Sequence, residues 1–235
     1  MQKHLFLLFV FAFVGGLLAA RISSEPEESR LGWGMVYGGN LSHFANSELQ
    51  NCQEKVGFDL LGGLAFRYEL NGGAALRTEL ILDRARAAVV YDHPYPYVFQ
   101  SKSTFITTRL KLPVCIELYG DGYVQDIRPS LGFGGYVAVP VSVQMKEEFD
   151  YQSSNASTGH IDITKDCPSF TPGLQVCAGV RYKHVYWQIR FNHDLISFRH
   201  PHLDVGDMQY RSVEFVIGVI GLTNWLNETF PPAKF

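Results

Sequence analysis

The sequence predicts an all-β fold, an eight-stranded antiparallel up-and-down transmembrane β-barrel, on three observations. Strand-like segments are separated by gaps that alternate in length: Asn71-Gly72-Gly73, Gly120-Asp121-Gly122 and Lys183-His184 close the short ones, and residues 42–55, 84–104, 144–171 and 199–210 fill the long ones. Within the segments, apolar and polar residues alternate with a period of two, as in strands with one greasy and one polar face. An apolar leader opens the chain. Short turns at one end and long loops at the other are the pattern of barrels in bacterial outer membranes.

The leader places Lys3 and His4 before the apolar run Leu5 to Val14 and ends in Gly15-Gly16-Leu17-Leu18-Ala19-Ala20. These are the three regions of an export signal over residues 1–20, with cleavage expected after Ala20. The apolar stretch is short for a membrane-spanning helix of roughly 20 residues. Residues 21–30 then form a periplasmic segment, 31–222 the barrel and 223–235 a periplasmic tail containing Pro231-Pro232.

Composition agrees with this organisation. A net charge of -3 with no basic or acidic run argues against nucleic acid as a partner. Charged residues are 18% of the chain, against roughly 25% in soluble proteins, and aromatic residues are 14%. That balance suits a surface facing outer-membrane lipid.

The segments can be justified in order. Leu31 to Leu41 carries Trp33, Met35 and Tyr37 on one face. From Val56 to Leu70, the even positions Phe58, Leu60, Leu64 and Phe66 oppose Asp59, Arg67 and Glu69. The next strand sets Leu76, Leu80 and Leu82 against Arg77, Glu79 and Asp83, and the fourth sets Ile106, Leu110, Leu112, Ile116 and Leu118 against Arg109, Lys111, Cys115 and Glu117. Leu131, Phe133 and Val137 oppose Arg128 and Gly132; Leu174, Val176 and Val180 oppose Gln175, Cys177 and Arg181. Trp187, Ile189 and Phe191 oppose Arg190 and Asp194, and Val213, Phe215 and Ile217 oppose Ser212 and Glu214. An even strand number returns both ends of the barrel to the periplasm.

Alternation alone does not say which face points inward. A secreted lipocalin-like carrier would bury the greasy face around a ligand, whereas a membrane barrel turns it to lipid and closes so that every backbone group is paired. Aromatics near segment ends (Trp33, Tyr68, Tyr119, Tyr182, Trp187 and Trp225) favour the membrane arrangement, as an interfacial girdle. The polar face then lines the lumen with Arg67, Arg77, Arg109, Lys111, Arg128, Arg181 and Arg190 against Asp59, Glu69, Glu79, Asp83, Glu117, Asp194 and Glu214. Seven charges against seven in so narrow a barrel are expected to pair as a structural plug, because buried charge is tolerated only when paired. A small-solute channel is the alternative use of the same charges.

Four segments carry a family resemblance: Leu110-Lys111-Leu112-Pro113, Ser130-Leu131-Gly132-Phe133-Gly134-Gly135-Tyr136-Val137, and the strands Gly34 to Ser42 and Gly173 to Val180. Over nearly all of the mature chain they resemble the PorT-type outer-membrane β-barrel family of the Bacteroidetes lineage. That resemblance implies a barrel without catalytic residues or cofactor, and a role beside the type IX protein-secretion machinery. The tail after Thr223 departs from the usual pattern, in which an aromatic residue closes the last strand.

The remaining candidates lie in the outer loops. Cys52 and Cys167 fall in the first and third, where an oxidising compartment allows a disulfide if their Cα atoms come within about 7 Å; Cys115 and Cys177 face the lumen as packing residues. The aromatic run Tyr91, His93, Tyr95, Tyr97 and Phe99, stiffened by Pro94 and Pro96, is the expected contact loop for envelope or secretion partners. His200, His202 and Asp204 lack the compact spacing of a metal site. His193 and Ser197 have the location of a lipid-modifying enzyme but no acidic partner for a triad, so a non-enzymatic barrel is the reading adopted.

Overall fold

In the computed structural model, residues 31–45, 52–71, 73–92, 98–120, 127–151, 154–157, 161–197 and 209–221 are described. The strands are β1 (Leu31–Ala45), β2 (Cys52–Asn71), β3 (Ala74–Asp92), β4 (Val98–Tyr119), β5 (Ile127–Tyr151), the short β6 (Ser154–Ser157) and β7 (Ile161–Asp162), then β8 (Thr171–Tyr182), β9 (Val185–Asp194) and β10 (Gln209–Ile220). Eight of them form a ring in the order β1-β2-β3-β4-β5-β8-β9-β10, every neighbour antiparallel, and β1 pairs β10 from Gly34↔Ile220 to Ala45↔Gln209 to close it. The expected strand count and topology therefore hold. The short β6 and β7 both pair with β5. Closure leaves no edge in the hydrocarbon layer, where an unpaired backbone group has no water to turn to.

Burial decides which face points inward. Met35, Tyr37, Phe58, Leu131, Phe133, Val176, Phe191 and Ile217 are each more than half exposed, while Arg190, Lys111, Asp83 and Glu214 are 0% exposed. A soluble carrier has the opposite arrangement, and an apolar surface of this extent is stable only against lipid. Trp33, Tyr182 and Trp187 lie on that outer face. Tyr119 does not join the girdle: its ring turns into the lumen, where the hydroxyl donates to Glu117 and accepts from Arg67 Nε at 3.1 Å.

Strand length departs from expectation. β2 to β5 have 20, 19, 22 and 25 residues, about twice the 9 to 11 that cross a bilayer, whereas β8 to β10 have 12, 10 and 12. Much of residues 84–104 and 144–151, expected as loop, is thus continued strand. The alternation persists there but inverts: Ala85, Ala87, Val89, Phe105, Val143 and Met145 are buried inside, with Phe44, Ile163 and Tyr210, in one cluster, while Arg84 and Arg86 are half exposed outside. Below the inversion the wall is apolar outside and charged inside; above it the wall is built like a water-soluble sheet. The inversion at Asp83-Arg84 therefore marks where lipid gives way to water.

Irregularities cluster at that level. The β2–β3 register shifts between Val56 and Leu61, and the β4–β5 register shifts between Thr108 and Arg109. The β2 bulge leaves Arg86 without a ladder partner on the β2 side, and Ser42 supplies one by reaching across Gly57. Its Oγ donates to Arg86 O at 2.8 Å and accepts from Arg86 N at 3.2 Å. A Cβ on Gly57 would lie 2.1 Å from that same oxygen, so only glycine leaves the path open.

Candidate functional site

The lumen is built from facing strands. In a ring of eight, β3 lies opposite β9, β4 opposite β10 and β2 opposite β8, and the strongest ion pairs run across these diameters. Glu79 on β3 takes both guanidinium nitrogens of Arg190 on β9, at 2.6 and 2.7 Å. Lys111 on β4 donates to Glu214 on β10. Near the periplasmic turns, Glu69 on β2 meets Arg181 on β8 at 3.1 Å.

Lateral contacts knit these pairs together. Arg77 bridges Glu117 and, at 3.3 Å, Glu79, and Gln188 Nε2 donates to Glu117 at 2.5 Å. At the outer end Arg109 joins Asp83 at 2.7 Å and Asp194 at 3.2 Å, and stacks over Tyr210 at 4.2 Å. Asn40 Nδ2 donates to Asp83 at 2.7 Å, and Tyr136 donates to Asp194.

Among the described residues the fully buried charges are Arg67, Arg77, Arg109, Lys111 and Arg190 against Glu79, Asp83, Glu117, Asp194 and Glu214. Five face five, so the core of the lumen is neutral. Four members of the expected set sit elsewhere. Arg128 is exposed at the periplasmic end, and Arg181 and Glu69 form a partly exposed rim there. Asp59 stands at the β2 bulge and pairs with Arg84 and Arg86, at 3.5 and 3.4 Å, not with the lumen set. Period-two alternation assigns a face to each residue, but neither its height nor the local turn of a bulge.

Two glycines make room for this filling. Gly218 is paired with Tyr186 and Gly173 with Tyr136, and a Cβ on either would lie 2.1 Å from the ring of its partner. The rings are laid flat over the glycines and point their hydroxyls at Glu79 and Asp194. Gly218→Val is expected to displace Tyr186 and cost about 1–3 kcal/mol, measured as a lower urea midpoint of the lipid-reconstituted barrel; an unchanged midpoint would show that the ring moves freely. The cavities that remain are small, about 10 Å³ beside Arg67 and Glu117 and about 70 Å³ at the outer mouth beside Phe44, Arg109 and Cys167.

Outside the lumen, Lys146 and Lys102 donate to Glu148 at 2.7 and 3.0 Å. These contacts hold the Glu148 carboxyl down at about 2 from its ordinary 4.5. A folded value below the unfolded one means that the contact stabilises fully above pH 4.5 and is lost as pH falls through about 2. Lys102→Gln with Lys146→Gln is expected to bring the Glu148 midpoint back toward 4.5 in a carboxyl-detected NMR titration.

The other candidates are placed as follows. Cys167 is a free thiol that donates to Ile163 O at 3.4 Å, packs against the outer cluster and is pushed up to about 12 by burial; the side chain of Cys52 lies outside the described residues. Cys115 and Cys177 are free and buried in the lumen; Cys115 donates to Gln175 Oε1 at 3.0 Å and Arg77 donates to Cys177. Of the contact loop, Tyr91 is the last residue but one of β3 and Phe99 the second of β4, while His93, Tyr95 and Tyr97 lie outside the described residues. So do Trp225, His200, His202 and Asp204. His193 faces outward, and among the described residues its partner is Arg211, whose Nε lies 3.2 Å from its Nδ1, not Ser197.

Comparison with known proteins gives one family and several folds. Residues 20–199 match the family described as outer membrane protein beta-barrel domain. Among solved structures, Neisserial surface protein A is 13% identical, with a TM-score of 0.40 over 80% of this chain and 96% of that one. The attachment invasion locus protein Ail of Yersinia pestis is 10% identical, with a TM-score of 0.34 over 80% and 97%. The outer membrane protein OprG of Pseudomonas aeruginosa is 10% identical, with a TM-score of 0.36 over 80% and 95%. No curated protein matches the sequence.

Proposed function

Because the chain belongs to the outer membrane protein β-barrel domain family, we propose that it is a non-conducting, non-enzymatic barrel that holds a rigid protein-binding platform above the outer membrane. The observation that carries this reading is the diametric ion pairing: Glu79 to Arg190 and Lys111 to Glu214 occupy the axis where a solute would pass. The extended walls of β2 to β5 supply the platform, and the tip between Tyr91 and Phe99 is the contact surface. The PorT-like stretches around Lys111 and Gly132 support an accessory role in protein secretion.

Two experiments test the reading. The reconstituted protein should give no steady conductance in planar bilayers; a reproducible open level would favour the channel. Affinity capture of the tagged protein from detergent-solubilised outer membrane should recover secretion components, and deletion of residues 91–99 should remove them while the barrel stays folded. An unchanged capture profile after the deletion would reject the tip as the contact surface.

A further inference from the structure

The outer wall just above the inversion carries a cluster of cations that the lumen does not use. Lys55, Arg84, Arg86, Lys102 and Lys146 line one shallow basin of about 560 Å³ on the lateral face of β2 to β5. Its floor is small: one cross-strand row runs Lys55↔Ala88↔Thr104↔Lys146, so two short side chains lie between two lysines, roughly 14 Å apart across three strand spacings. Lys102 and Arg86 close the row above and the row below.

The charge is in excess. Among the described residues, Asp59 and Glu148 are the carboxylates recorded in ion pairs with these cations, two against five. Glu54, next to Lys55, is paired in register with Val89 on the opposite face. Height decides what the excess faces. Leu82, more than half exposed, is the outward neighbour immediately below Arg84, and successive outward residues on one strand are only about 6.7 Å apart. Arg84 thus stands one outward layer above the apolar belt, Arg86 two, and the row of Lys55 and Lys146 three, so the basin climbs the lateral wall from the edge of the belt and looks sideways, not up into solvent.

We propose that this basin binds the phosphorylated sugar headgroup of an anionic glycolipid of the outer leaflet, with Arg84 and Arg86 nearest its acyl chains, Lys55, Lys102 and Lys146 on phosphate further up the wall, and the acyl chains running down past Leu82. A soluble polyanion would have no need of the apolar wall below, and a lipid headgroup has both parts. Basic residues at a membrane surface each strengthen attraction to anionic lipid.

The test places the full-length protein in phosphatidylcholine nanodiscs containing lipid A with both phosphates, or lipid A stripped of them, and counts retained lipid A by native mass spectrometry. Phosphorylated lipid A should be retained and the stripped form lost. Lys55→Gln with Arg84→Gln and Lys146→Gln should weaken retention at least about tenfold, as should raised salt on the unaltered protein. Equal retention of the two lipid forms by the unaltered protein overturns the proposal without any variant. If inositol hexakisphosphate binds the detergent-solubilised protein as tightly as lipid A binds in discs, the ligand is a soluble polyanion and the lipid assignment fails. Heat-modifiable gel mobility checks that the triple variant is folded, and undiminished retention by a folded variant also overturns the proposal.

Discussion

Glu214→Leu alone is expected to destabilise the barrel by about 3–5 kcal/mol, whereas Glu214→Leu combined with Lys111→Met should cost far less. Both side chains are 0% exposed and face each other across the lumen from β4 and β10. Removing the carboxylate strands an ammonium in a water-poor interior and leaves the neutral set of buried charges with an excess of one positive. Removing both restores neutrality and replaces two desolvated ions by apolar groups of similar size, a change that is often neutral or favourable. The second carboxylate oxygen of Glu214 is 3.9 Å from Arg190, but Arg190 keeps its two contacts to Glu79 in either variant. Urea unfolding of the lipid-reconstituted protein, run as a double-mutant cycle, measures the coupling. Additive losses in the double variant would show that the two residues act through packing, not charge.

The same pattern explains what the sequence reveals and where it stops. Arg77, Glu79, Asp83, Arg109, Lys111, Glu117, Arg190, Asp194 and Glu214 were all assignable to one face from alternation, because a two-residue period makes every side chain on a strand declare its face, and the aromatic residues near the segment ends assigned that face to the lumen. Their partners were not assignable. Which arginine meets which carboxylate depends on ring order and stagger, so the diameter from Glu79 to Arg190 joins residues 111 positions apart. The reach of β2 to β5 was concealed for a different reason. Above Asp83 the polar positions move to the outside, and a reader following greasy-out alternation sees the pattern end where it has only reversed. Ala85, Ala87 and Val89, flanked by Arg84 and Arg86, were the available signal. The bulge that turns Asp59 toward Arg84 and Arg86 left no mark beyond Gly57, and no single glycine identifies a bulge.

Phe105→Ala tests whether the reversed section is a cooperative extension of the barrel. Phe105 is 1% exposed at the centre of the outer cluster and meets Phe44 edge to face, ring centres 5.3 Å apart and planes at 87°. Truncating a buried phenylalanine costs about 3–5 kcal/mol through lost burial and the cavity left behind, and the edge-to-face contact adds to the loss. The loss should be local. The ion pairs that join β3 to β9 and β4 to β10 lie below this cluster and share no side chain with it, so the membrane-embedded ring should keep its heat-modifiable mobility. Amides of residues 85–90 and 101–106 should instead exchange with deuterium far faster, as a unit that opens independently of the ring. Because Tyr210 and Phe44 lie on β10 and β1, they tie the outer ends of the short strands to the tall wall, and their amides should lose protection with it. Loss of the whole barrel would mean that ring and extension fold as one body. Unchanged exchange at residues 85–90 would mean that backbone pairing alone holds the extension upright, and that the apolar interior above the membrane contributes little to it.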